Sequence, residues 1–137
     1  MSMYVTIKTQ FKDPNCLVSA LAETGQWTKE QIEVHEEAQN LYGYHGDIRQ
    51  DKAHIIIRRQ HIGSASNDIG FVKGEDGSYS AIISKYDSGK YDAKWIGTLK
   101  YNYGYEVTRK QAKTRGLRVE RQTLPNGNRA VVVTGYR

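Results

Sequence analysis

Ile69-Gly70-Phe71-Val72-Lys73-Gly74-Glu75-Asp76-Gly77-Ser78-Tyr79-Ser80-Ala81-Ile82-Ile83-Ser84-Lys85 decides the fold. Two short runs of apolar and β-branched residues flank a five-residue link that contains Asp-Gly, and that pattern predicts a β-hairpin over 69–73 and 79–85. A hairpin makes the local sheet antiparallel, and an antiparallel sheet needs cover on one face only.

Just upstream, 54–60 (His-Ile-Ile-Ile-Arg-Arg-Gln) reads as a further strand, followed by turn formers from Gly63 to Asp68. Towards the N-terminus, 31–37 alternates as a strand, and Tyr42-Gly43-Tyr44-His45-Gly46 is too rich in glycine to be regular. Residues 4–10 alternate in the same way and predict the first strand. Between these two, Asp13-Pro14 is an N-cap followed by proline at the first helical position. Leu17, Ala20 and Leu21 then share one face, so a helix is expected over 14–24, stopped by Gly25.

Downstream, Trp95, Leu99 and Tyr103 recur at four-residue spacing and predict a helix over 91–115. Gly97 and Gly104 weaken it by about 1 kcal/mol each, so a break is expected near Gly104. A second hairpin follows, with 117–124 and 129–134 joined through Pro125-Asn126-Gly127-Asn128. The order β-α-β-β-β-β-α-β-β predicts one α+β domain over 1–137, with a mainly antiparallel sheet of about five to seven strands and two helices packed on one face.

A chain of 137 residues is the common size for one domain, and 38% hydrophobic with 26% charged residues is an ordinary globular composition. The lone cysteine, Cys16, cannot form an internal disulfide and fits a reducing, cytoplasmic setting. No apolar run suits a signal peptide or a bilayer span, so no membrane partner is expected.

Charge is spread unevenly. Residues 1–46 balance at −3, 47–87 at zero and 88–137 at +8, which together give the chain's +5. The basic segment has Tyr101, Tyr103 and Tyr105 at its head. Arginine grips phosphate bidentately and aromatic faces stack on bases, so the combination suits a planar anion. On a helix Tyr101 and Tyr105 pair at i and i+4, as do Arg109 and Lys113. The expected site is an anion held by Arg109, Lys113 and Arg115, with Tyr101 or Tyr105 stacking and Arg58 or Arg59 reaching across from the sheet. The competing reading is that Trp95 and Tyr103 pack on the sheet and the charges form a solvated face.

Other chemistry is poorly represented. His35, His45, His54 and His61 stand at no zinc-ligand spacing, so no metal is expected. Cys16 lies within a predicted amphipathic helix with no histidine near it in sequence, and Glu36-Glu37 on a strand point to opposite faces. The glycines of 70–77 match neither a Walker loop nor a dinucleotide fingerprint, and no cofactor is expected. The expectation is a non-enzymatic binder of a nucleotide-like or other anionic small ligand. A nucleic-acid-binding accessory protein and a protein-interaction module are the alternatives, and exposed sheet edges allow a homo-oligomer.

Several blocks carry a family resemblance: Ser2-x-x-x-x-Ile7-Lys8-Thr9, the short helix from Leu17 to Leu21 ending at Gly25, Asp68-Ile69-Gly70-Phe71-Val72 followed by Asp76-Gly77-Ser78-Tyr79, and Gly116 leading into the closing hairpin. Together they resemble the plastid and cyanobacterial hypothetical reading-frame family called Ycf-thirty-five, or domain of unknown function twelve fifty-seven, with relatives in phages. The resemblance implies a small intracellular single-domain protein; the expected binder of an anionic ligand would act as a sensor or as a phage-type sequestering protein. It supplies no activity or catalytic residues.

Overall fold

The computed structural model describes residues 3–135; Ser2, which opens the N-terminal pattern quoted above, lies outside the described residues. The elements run β1 (Tyr4–Phe11), α1 (Pro14–Gly25), β2 (Ile32–Tyr42), β3 (Ile48–Ile57), β4 (Ile69–Lys73), β5 (Tyr79–Ser84), α2 (Ala93–Lys113), β6 (Leu117–Thr123) and β7 (Arg129–Gly135). The first five strands form one antiparallel sheet in the order β1-β5-β4-β3-β2, and β6 with β7 forms a separate two-stranded ribbon. This is the expected α+β domain with two helices on one sheet face.

Strand alternation divides the apolar residues into two layers. Ile55, Ile57, Ile69, Phe71, Ala81 and Ile83 point to the helices and pack with Leu17, Leu21, Ile96 and Leu99. The intervening Ile56 and Ile82 point to the opposite face, where Leu41 and Ala53 cover them with Tyr4 and Val72. Leu41 and Ala53 come from the far part of the β2–β3 hairpin, so that hairpin shields the second face. Gly70 permits the contact, because a Cβ there would stand 2.5 Å from the Ala53 Cβ.

That hairpin is longer than its sequence suggests. β2 continues to Tyr42 instead of ending at 37, and β3 begins at Ile48 instead of 54 and ends at Ile57, with Arg59–His61 forming a single 3-10 turn. Residues 38–53 are largely polar, so they carry no hydrophobic alternation to mark them as strand. The pairing also slips: residues 35–38 oppose His54 alone, an irregularity that sets four residues of the edge strand against one.

α1 follows expectation at its start, where Asp13 Oδ1 accepts from the amides of Asn15 (3.0 Å) and Cys16 (3.1 Å). Its end differs. Gly25 is the last helical residue, and the left-handed residue that terminates the helix is Gln26, at φ +58°. Gly25 is required for another reason: the Trp27 ring lies 2.1 Å from where a Cβ would stand.

α2 is continuous through Gly104, against the expected break. Packing on both flanks outweighs the poor propensity. Leu99 is fully buried, Ile96 and Ala112 nearly so, and the Tyr103 hydroxyl accepts the backbone N–H groups of Lys12 and Asp13, each at 2.9 Å.

A buried polar knot closes one end of the sheet. The carboxylate of Asp68, fully buried, accepts from the Tyr42 amide (2.7 Å), the Arg59 amide (2.7 Å) and Arg58 Nη1 (2.8 Å). Next to it, Asp87 Oδ2 accepts from the Asn67 amide (3.0 Å) and the Ser84 hydroxyl (2.8 Å), and Asn67 Oδ1 accepts from the Tyr44 amide (3.0 Å). These bonds tie the β2–β3 turn, the exit of β3, the entry to β4 and the exit of β5 together.

Three outcomes follow for urea-melt stabilities. Asp68→Ala leaves a guanidinium and two amides without their acceptor and should cost about 3–5 kcal/mol. Gly70→Ala should cost about 1–3 kcal/mol by overpacking against Ala53. Gly104→Ala should instead gain about 0.4–1 kcal/mol, since nothing lies within 4 Å of a Cβ there.

Candidate functional site

The buried stripe of α2 comprises Ile96, Leu99, Asn102 and Ala112. One neighbouring flank carries Tyr101 and Tyr105 towards the β6–β7 ribbon. Both rings are engaged by this chain. The Arg129 guanidinium lies 4.5 Å from the Tyr101 ring centre, and the Tyr101 hydroxyl donates to the Ala130 carbonyl at 3.3 Å. The Arg121 guanidinium lies 4.0 Å from the Tyr105 ring centre, while its Nη1 also donates to Glu23 of α1 and to Asn102 Oδ1 (3.2 Å). Each such stack is worth about 0.5–2 kcal/mol. The tyrosines expected to serve a ligand therefore fasten the ribbon to the helices.

Beyond Tyr105 the surface opens. Tyr105, Arg109 and Lys113, spaced one turn apart, line a groove of about 480 Å³ whose other wall is Gly116, Leu117, Arg118 and Val119. Arg109 and Lys113 also border a smaller hollow of about 230 Å³ against Asn15, Cys16 and Ser19 of α1, so the two cations form a ridge between the depressions. Their neutralisation is weak. Arg109 is 62% exposed, with Glu106 Oε1 at 3.8 Å. Arg115 is exposed just past the helix end.

Lys110 differs from its neighbours, because its ammonium donates to Asp13 Oδ2 at 2.6 Å. That bond holds the Asp13 carboxyl below the usual carboxylate range and the lysine above its own. Cys16 is buried, and burial together with Asp13 pushes its thiol up to about 11, which leaves it protonated and poorly nucleophilic.

Arg58 and Arg59 belong to the knot around Asp68. Arg58 bridges Glu33 (Nε to Oε2, 2.9 Å; Nη2 to Oε1, 3.0 Å) and Asp68, and lies 5.3 Å from the Tyr42 ring centre. Burial pushes the Glu33 carboxyl up, but the hydrogen bonds from Arg58 and His35 outweigh it and leave the group below its ordinary value. Arg59 donates to the carbonyls of Ser66 (3.0 Å) and Ser64 (2.7 Å). Of the seven residues expected at the site, the groove unites Tyr105, Arg109 and Lys113. Tyr101 carries Arg129 on its ring, Arg58 and Arg59 stand in the knot around Asp68, and Arg115 lies outside the groove lining.

Arg118 is the groove residue missed by sequence reasoning. It follows Gly116 at the mouth of the ribbon, and only the fold of β6 back along α2 brings it opposite Arg109. The histidines also have local partners: His35 Nε2 lies 2.8 Å from Glu33, and His54 Nδ1 accepts the Lys73 amide at 3.0 Å. Among the described residues no group of three or more histidine, cysteine or acidic side chains could hold a metal ion, and no helix is long and apolar enough to cross a membrane.

No curated protein and no solved structure matches the chain. A family model does match, over residues 28–132, and it spans β2 to β7 apart from the last residues of the ribbon. By that match the chain belongs to the family described as a protein of unknown function, DUF1257.

Proposed function

We propose that the protein is a non-enzymatic binder of phosphate-bearing ligands, and that its principal ligand is a nucleic-acid strand lying along the groove between α2 and β6. The observation that carries this reading is the convergence of Tyr105, Arg109, Lys113 and Arg118 on one open groove.

The shape of the groove favours an extended phosphodiester over a single nucleotide. A small-molecule site buries most of its ligand, whereas a phosphate backbone is gripped at an exposed surface by arginine and lysine. The cations supporting the reading come from both walls of the groove, one a helix and the other a two-stranded ribbon. With Arg121 and Arg129 on the tyrosine rings, base stacking on those faces would require the ribbon arginines to leave. Contacts are then mainly to phosphates, and sequence preference is weak. The kinship with plastid, cyanobacterial and phage reading frames is part of the same proposal and adds no activity to it.

Fluorescence anisotropy with a labelled single-stranded oligonucleotide, measured at about 50 and 200 mM salt, tests the proposal. Three neutralised phosphates, one for each groove cation, should give a slope near −2.1 in log affinity against log salt, a loss of about 20-fold over that range. Arg109→Ala/Lys113→Ala should fold normally and flatten the slope by about 1.4. Absence of binding at the lower salt, or an unchanged slope in the folded double variant, would remove the groove as the site.

A further inference from the structure

The two edges of the five-stranded sheet are unlike each other. β2 closes one edge, and its ladder is interrupted at residues 35–38, where Glu36 and Glu37 also stand. Interruptions and charges of this kind keep an edge strand from pairing with another chain. β1 closes the other edge, and from Tyr4 to Lys8 its pairing with β5 runs without a shift. Among the described residues no strand pairs with its outer side.

The ladder fixes which backbone groups face outward. Continuing the register of Tyr4 with Ser84 sets Met3 opposite Lys85, and the Lys85 amide donates to the Met3 carbonyl at 2.7 Å, which makes them a hydrogen-bonded pair. Alternation then turns the N–H and C=O groups of Val5 and Ile7 inward to β5, and those of Tyr4, Thr6 and Lys8 outward.

The outward run is its own complement. Antiparallel pairing of two copies centred on Thr6 sets Tyr4 against Lys8, Val5 against Ile7 and Thr6 against Thr6, and each outward N–H then meets an outward C=O. Centring on Ile7 instead carries the pairing into the irregular stretch between Lys8 and Phe11, and centring on Val5 leaves Lys8 with no described residue opposite it. In the Thr6 register, Val5, 40% exposed, and the half-buried Ile7 meet on the helix side, beside the buried Ile83 and Ala81, so the core continues across the junction. The charges also agree. Lys8 comes beside the partner's Tyr4, whose surroundings hold Asp51, Asp87 and the Arg58-paired Asp68 against the single base Arg49. The two Lys8 side chains stay four residues apart along the strands, about 13 Å, beyond the Debye length of about 10 Å at 0.1 M salt.

Above this edge α2 is flat. Gly97, Lys100 and Gly104 share one flank at helical spacing, Lys100 lines a hollow with residues 8–10 of β1, and nothing lies within 4 Å of a Cβ at either glycine. A two-fold axis perpendicular to the sheet keeps both α2 helices on the same side, and this flank lets them approach.

We infer that β1 is a dimerisation edge, on which a second copy of this chain docks through its own β1, antiparallel and centred on Thr6, so that two five-stranded sheets become one. The edge stands apart from the groove between α2 and β6 and does not depend on it.

Sedimentation velocity of the full chain at about 100 μM, where a dimer of micromolar Kd is mostly formed, tests the inference. The mass should be twice that of the 15.6 kDa chain. Thr6→Pro should give a folded monomer, because it removes an N–H that faces away from β5, whereas Arg109→Ala/Lys113→Ala should stay dimeric. The register has its own test under mild oxidation. Thr6→Cys should cross-link to itself, since a hydrogen-bonded antiparallel pair places the Cα atoms about 5.5 Å apart, and Lys8→Cys should not. If Thr6→Pro fails to fold, the cysteine pair decides. A monomer at that concentration, a folded Thr6→Pro variant that stays dimeric, equal cross-linking by the two cysteine variants, or loss of the dimer in the Arg109/Lys113 variant would each overturn the inference.

Discussion

The Asp68 carboxylate is the interaction on which the rest of this structure depends. An ionised carboxylate with no solvent contact carries a desolvation penalty of several kcal/mol, which is offset only when its lone pairs are filled and a cation lies beside it. Two backbone amides and the Arg58 guanidinium meet that need, and Arg58 is held in turn by Glu33 on the outermost strand. A single side chain thus fixes where β3 ends, where β4 begins and how the β2–β3 turn folds over the sheet. The same segment continues to the helices, because the His61 carbonyl accepts Trp27 Nε1 at 2.8 Å and Trp27 packs beside the end of α1.

Arginine acts quite differently at the other charged region. Arg121 and Arg129 lie on tyrosine rings and hold the ribbon on α2, while Arg109 and Lys113 are exposed along a groove whose other wall includes Arg118. The positive balance of the C-terminal third therefore divides into cations that build the surface and cations that the surface presents. Only the second group is available to a polyanion without disturbing the packing.

Much of the fold was legible because packing and periodicity agree where the core is made. Asp-Gly between two apolar runs placed β4 and β5, Asp13-Pro14 placed the start of α1, and the spacing of Trp95, Leu99 and Tyr103 placed α2. The polar arms of the β2–β3 hairpin were not legible, since neither face of residues 38–53 is uniformly apolar and the bulge at 35–38 breaks alternation. The site was half legible. Helical spacing correctly put Tyr105, Arg109 and Lys113 together, but the roles of Arg58 and Arg59 depend on Glu33 and Asp68, which only the strand pairing brings alongside. Likewise, nothing local to Tyr101 or Tyr105 tells that arginines 16 to 28 residues later will cover them.

The most direct test of the account is a ¹H–¹⁵N chemical-shift map of the full chain titrated with a short single-stranded oligonucleotide. Shifts should concentrate at 105, 109, 113 and 117–119, with the amides of Tyr42, Arg59 and Asp68 unmoved. Shifts centred on the Asp68 knot, or spread evenly over the surface without saturation, would contradict it.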